Sequence, residues 1–213
     1  MTTTPSNPGW RVQLAIHRAV RRDITRLATA LAAGGDVPTN GERAYWAVTA
    51  AQLHHHHELE DTVISPLMAE RLGDRVEALL TRNAQQHEVM AASMDEFDAT
   101  LAATDATAAR AALARMEQAI EAHLAAEEAD LLPLIPEAFT PDDIAHFQAE
   151  SAKTNTASVF LPWMLDDAPD EDLAFFTATM PAPVLAQLES VWMPKRRQAV
   201  AALHLTGSVA AAS

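Results

Sequence analysis

The sequence predicts an all-α protein, an antiparallel up-down-up-down four-helix bundle over residues 1–136 followed by a helical C-terminal extension over 137–205. Three observations carry that expectation. Apolar residues recur every three or four positions through four long segments, which is the period of a helix rather than a strand. The breaks between these segments are short and marked by Gly, Pro, Asn or Asp, as connections between antiparallel neighbours are. A polar motif on the second segment recurs on the fourth at the same spacing.

From Trp10 to about residue 33, Leu14, Val20, Ile24, Leu27 and Leu31 lie at helical spacing, His17 fills the gap in the stripe, and Gly34-Gly35 closes the segment. A turn from Gly34 to Gly41 leads into a second helix with the stripe Trp46, Thr49, Leu53, His56, Glu60, Val63, Leu67, which stops near Gly73. The third helix, from about Asp74 to Ala103, carries Val76, Leu80, Asn83, His87, Met90, Met94, Phe97 and Leu101. The fourth begins near Thr107, carries Leu113, Met116, Ile120, His123, Glu127, Leu131 and Leu134, and ends with the help of Pro136. With turns centred near residues 37, 72 and 105, the two histidines flanking each turn stand at nearly equal distances from it. At about 1.5 Å per residue, His17, His56, His87 and His123 should meet at one level.

His56-x-x-x-Glu60 puts an imidazole and a carboxylate one turn apart on one face, with Pro66 ten residues after the histidine; His123-x-x-x-Glu127 repeats the pattern with Pro133. The run His54 to His57 is internal, so it is structure rather than a tag. Six polar groups therefore occupy stripe positions that packing would give to Leu, Ile or Val: His17, His56, Glu60, His87, His123 and Glu127. Buried carboxylates need a countercharge, and no Lys or Arg lies on these stripes at that level. A metal centre supplies it. The set exceeds what one tetrahedral zinc takes, and its nitrogen and oxygen donors suit first-row metals such as iron. Two metals bridged by the two carboxylates would use all of it.

Composition narrows the classes further. The absence of cysteine excludes disulfides, thiolate chemistry and cysteine-held clusters, so any metal must use His and carboxylate. A formal charge of −14, from 15 Lys+Arg against 29 Asp+Glu, suits a soluble surface and argues against nucleic acid or an anionic membrane as partner. No signal-like start and no long apolar run is present, so a cytoplasmic protein, monomer or homodimer, is expected. There is no His-Glu-x-x-His, no Glu-x-x-His and no phosphate-binding glycine pattern, which disfavours metalloproteases, ferritin-like diiron carboxylate proteins and nucleotide enzymes.

With these residues in place, the chain resembles the haemerythrin-like (HHE cation-binding) family over about residues 10–136, on His17, His56-x-x-x-Glu60 with Pro66, His87, and His123-x-x-x-Glu127 with Pro133. The resemblance implies a cofactor of two iron ions, a non-haem diiron centre with one histidine from each helix and both glutamates bridging. It also implies an iron position open to dioxygen, peroxide or nitric oxide. Two departures from the oxygen carriers of the family stand out. Their second histidine on the third helix is Ala91 here, a place that His57, Asp61 or water would have to fill. Their fourth-helix carboxylate would select Glu128, whereas the stripe selects Glu127. The poorer ligand set shifts the expectation from reversible carriage toward an oxidoreductase of oxidase, peroxide-decomposing or oxygenase type, acting with or without a small organic substrate. The alternative is a non-catalytic oxygen, nitric oxide or iron sensing module.

Other residues have plainer readings. His54 and His55 face solvent or a neighbouring helix, and Met90, Met94 and Met116 pack the core. His57 belongs to an alternative stripe with Leu53, Glu60 and Ile64. His146-x-x-x-Glu150 repeats the spacing but projects away from Ile144, as a solvated surface pair.

After Pro136, Thr140-Pro141-Asp142-Asp143 opens a helix running to about Lys153. Val159 to Leu165, Phe175-Phe176 and a last helix from about Pro183 to Leu203 hold many of the chain's aromatic residues. Three roles are open: docking on the bundle, a substrate tunnel shaped by Phe160 and Trp163, or a dimer interface. The tail Thr206–Ser213 is expected to be disordered.

Overall fold

Local chemistry sets each helix boundary in the computed structural model, which describes residues 8–178 and 180–204. Thr39 caps α2 (Asn40–Leu59) through a reciprocal box in which Thr39 Oγ1 accepts from the Glu42 N–H (3.1 Å) and Glu42 Oε2 accepts from the Thr39 N–H (2.6 Å). Gly73 joins α3 (Ser65–Leu72) to α4 (Asp74–Ala102) at φ +55°, a conformation that strains any residue with a Cβ. Asp105 caps α5 (Ala106–Asp130) by accepting from the Ala108 N–H at 2.9 Å.

Together with α1 (Pro8–Ala33), these helices close a ring in which α1 touches α2 and α5, and α4 touches α2 and α5. The pairing of α4 with α5 is the most extensive; the buried Ala106, Ala109 and Ala112 keep that part of α5 slim. No strand occurs among the described residues, and none of their helices is long and apolar enough to cross a membrane.

Two local features depart from the sequence expectation. Between α2 and α3 the chain makes a π-helical turn, Glu60–Ile64, closed by the Ser65 N–H donating to the Glu60 carbonyl. The wider turn delays the inward stripe by one residue, so Met68 and Leu72 are buried while Val63 and Leu67 are only half-buried. The fourth helix ends earlier than expected, at Asp130; Leu132–Leu134 tighten into a 3-10 turn and Pro136 sits in the first turn of α6 (Ile135–Ala138).

The remaining helices are α7 (Pro141–Thr154), α8 (Ala157–Leu165), α9 (Asp170–Ala178), α10 (Ala182–Gln187) and α11 (Met193–His204), with a second π-turn at Leu188–Trp192. Of these, α8 packs on α1, and α11 packs on α1 and α2. Gly41 permits that approach, since a Cβ there would lie 2.9 Å from the Ala202 carbonyl oxygen. Trp163, Met164 and Leu165 are buried in the bundle's main core, so the aromatic content of α8 is spent on docking. The tail Thr206–Ser213 lies outside the described residues.

A buried charge clamps the extension in place. Asp23 on α1 is 1% exposed and accepts from Tyr45 Oη (2.7 Å), Thr49 Oγ1 (3.0 Å), Trp163 Nε1 (2.9 Å), Arg22 Nε (2.8 Å) and Arg196 Nη2 (2.6 and 2.8 Å). Arg196 also donates to Asp166 (3.0 Å), which takes a further bond from Arg26 (2.5 Å). Removing one partner of such a pair leaves an uncompensated interior charge. Arg196→Met is therefore expected to lower unfolding free energy by about 3 kcal/mol in urea titrations; a loss below about 1 kcal/mol would show that Arg22 and the neutral donors suffice.

Burial pushes the Asp166 carboxyl up, but Arg26, Arg22 and Arg196 more than offset this and hold it below its ordinary value. A group depressed in the folded state contributes stability above its unfolded pKa and loses it as pH falls through the folded one. Acidification from about pH 5 toward pH 2 should thus weaken the native chain more steeply than Asp166→Asn. Parallel curves of urea midpoint against pH for the two proteins would remove Asp166 from this role.

Candidate metal centre

A polar layer splits the hydrophobic core in two. Along α2, the π-turn and α3 the buried residues run from Leu53 in the main core through His56, His57 and Glu60 to Met68, which belongs to a second apolar cluster. On α4 they run from Met90 through His87 and Asn83 to Val76, and on α5 from Leu124 through His123 and Glu127 to Leu131. On α1, His17 lies in the same layer between Val20 and the partly buried Leu14, and the buried Gln13 reaches Glu60 from just beyond Leu14. Each helix therefore contributes polar groups at one level, as the counting from the turns anticipates.

Those side chains form two groups whose nitrogen and oxygen atoms lie within 4.8 Å of one another: His17, His56, Glu60 and Glu127, and His57, Glu60, His87 and His123. Donors about 2.1 Å from one first-row ion stand at most about 4.2 Å apart, so small side-chain shifts would close either group on an ion. Glu60 belongs to both. Its Oε1 is 3.1 Å from His56 Nε2 and its Oε2 is 3.4 Å from His87 Nε2, so one carboxylate turns a different oxygen toward each group. Glu127 Oε2 likewise stands 3.2 Å from His17 Nε2 and 3.6 Å from His123 Nε2.

Many of these atoms have no hydrogen-bond partner. The Nε2 atoms of His17, His56, His57 and His123 and the Oε2 atoms of Glu60 and Glu127 are buried without one. Buried polar atoms are rarely left so, and a cluster of electron-pair donors around a shared centre is what a cation satisfies. The metal-free protonation pattern points the same way. Burial and the neighbouring Glu127 carboxylate push the Glu60 carboxyl well up. Burial would raise Glu127 too, but His17 beside it brings it down to about 2. Burial also lowers His56 and His57 and takes His123 down to about 4. His17 alone is raised, because Glu127 and Glu128 more than offset the effect of burial. Protons balance the interior where a metal would otherwise do so.

His57, one of the candidates for the place that Ala91 leaves open, belongs to the second of these groups. Its ring stacks on His87 with centroids 4.2 Å apart and meets His123 edge-on at 5.4 Å. Asp61, the other candidate for that place, is outside both groups: its side chain is 49% exposed, and Oδ1 accepts from His87 Nδ1 at 3.0 Å. Glu128 does the same for His17 Nδ1 at 2.9 Å and is itself held by Arg21 Nη1 at 2.6 Å. A carboxylate can only accept, so each Nδ1 carries a proton, which leaves Nε2 of each ring as the inward atom that a metal would take.

Some functional positions escaped the sequence reading. Gln13 is buried and its Nε2 lies 3.4 Å from Glu60 Oε1; the one signal for it in the sequence is its place four residues before His17. The repeated spacing on α7 does not form its expected pair: His146 is exposed and Glu150 accepts instead from Lys153 Nζ at 2.5 Å. His54 is exposed, and His55 bonds to Ser151 Oγ of α7 at 3.2 Å.

If Asp61 and Glu128 orient His87 and His17, then Asp61→Ala and Glu128→Ala should each lower metal affinity about 10- to 100-fold in titrations against a competing chelator. Unchanged affinity in both variants would strip the two carboxylates of that task.

No curated protein and no solved structure is significantly similar to the chain. The family model of the Hemerythrin HHE cation binding domain matches residues 9–135, a span that holds the whole polar layer and stops short of α7. On a match over more than half its length, the chain belongs to the Hemerythrin HHE cation-binding domain family.

Proposed function

We propose that the protein is a non-haem diiron protein that binds dioxygen or hydrogen peroxide and reduces or activates it. The observation that carries this reading is Glu60, whose two oxygens face two different donor groups, as a bridging ligand requires. His17 and His56 would hold one ion, His57, His87 and His123 the other, with Glu60 and Glu127 between them. This set is rich in imidazole, which suits iron, and it fills fewer positions than two octahedral ions offer. When bound in reduced form, such a pair supplies two electrons to an oxygen species.

The chain's own residues set the conditions for that chemistry. Asp61 and Glu128 fix the tautomers of His87 and His17, and the exposed edge of Asp61 leaves a route for protons to that side of the layer. Apolar side chains above and below, Met90 and Leu124 on one side and Met68 and Leu131 on the other, exclude bulk water. Turnover would require protons and an external reductant.

The test is iron content after anaerobic reconstitution, followed by absorption spectra on adding dioxygen and then peroxide. About two irons per chain with peroxide consumption supports the enzyme; a spectrum that reverts when oxygen is removed points to binding or sensing. His57→Leu is expected to reduce tightly held iron from about two ions to about one, since only its group is depleted. One zinc per chain, or no metal retained, would overturn the diiron reading.

A further inference from the structure

Between the bundle and the extension lies a partly open apolar cavity of about 290 Å³. Its floor is Val12 and Ile16 of α1 with Leu59 of α2, and its roof is Phe147 of α7 with Phe160 and Leu161 of α8. Close-packed interiors do not leave apolar voids of this size without cost. Water is a poor occupant, because it needs several polar partners. Polar side chains are few: Gln52 and Asn155 exchange amide hydrogen bonds of 2.9 and 3.3 Å, His55 bonds to Ser151, and Gln148 is exposed. No Asp, Glu, Lys or Arg lines the cavity.

One wall belongs to the metal layer. His56 lines the cavity, while its Nε2 lies 3.1 Å from Glu60 Oε1. The opposite wall is a lightly anchored helix, for α7, like α10, has no buried residue, and its Ile144 is only partly buried against the second apolar cluster. It is held by its cap, by Arg71 on Asp143, and by the contacts of Ser151 and Asn155 with α2. A molecule entering past α7 would come to rest against His56.

We propose that this cavity is the binding site for a compact, uncharged, largely apolar organic molecule of roughly twelve non-hydrogen atoms, carrying one hydrogen-bonding group. The size follows from comparison: an apolar cavity of about 150 Å³ takes a benzene ring, and this one is nearly twice as large. The charge follows from the lining, which would leave an ion without a partner. The hydrogen-bonding group would meet the Gln52–Asn155 pair or His55. Binding as such needs no metal; the role of the cavity as a substrate site rests on the diiron reading.

Naphthol fits these limits, and naphthalenesulfonate is its charged counterpart. Calorimetric titration of naphthol into the full chain, both iron-loaded and metal-free, should give saturable one-to-one binding with a Kd of about 100 µM or tighter. The heat-capacity change should be negative. Ser151→Phe and Ala152→Phe, which fill the cavity from α7, should each weaken binding about ten-fold or more; circular dichroism identifies a variant that fails to fold, and the other then decides. Naphthalenesulfonate should bind at least about ten-fold more weakly. Absence of saturable naphthol binding, equal affinity for the sulfonate, or indifference to the filling substitutions would each overturn the proposal. Iron content is measured separately, so loss of the diiron reading leaves this result interpretable. In iron-loaded protein, naphthol should also shift the absorption bands through His56; binding without any shift would overturn the substrate role.

Discussion

Two carboxylates placed among imidazoles in an apolar interior impose a charge balance that the protein cannot meet with basic side chains. Glu60 and Glu127 are 1% and 5% exposed, and Arg21 bonds Glu121 and Glu128, at the edge of the layer, rather than either of them. In the metal-free chain, protons on Glu60 and His17 meet the requirement, and a cation would displace them. The division of the core into two apolar clusters follows from the same constraint, because the layer between them is reserved for donors. Helix lengths, turn positions and the shared depth of the histidines serve to bring that layer together from four separate segments.

Much of this was legible in the sequence because the helical period and the breaks at Gly34, Gly73 and Asp105 are local signals. The layer could be read for the related reason that polar residues on apolar stripes are conspicuous. What could not be read depends on geometry beyond the period. The π-turn at Glu60–Ile64 has no recognisable signature, yet it moves the buried face from Leu67 to Met68. His57 lies on a neighbouring stripe, and only the packing of α4 and α5 against α2 shows that both His56 and His57 turn inward. Gln13, Asp23 and Arg196 would be placed at the surface by any amphipathic reading, because their partners lie 47, 140 or 173 residues away.

The extension has a different logic from the bundle. Its helices are short, and α8 and α11, which also touch each other, insert Trp163 and Arg196 into the bundle. Between α8 and the metal layer, α7 closes a space without filling it. The family match ends before α7, so the cavity combines the family's bundle with walls that lie outside the matched span. One half supplies the donors and the other supplies the walls.

The Asp23 clamp has a consequence for how the chain is made. Its ligands arrive in order along the polypeptide: Tyr45 and Thr49 early, Trp163 much later, and Arg196 near the end. During synthesis the bundle can assemble while Asp23 still lacks its principal cation, which arrives 173 residues later. Docking of α11 therefore follows assembly of the bundle, and a chain truncated before Arg196 would carry its defect in the interior of the bundle.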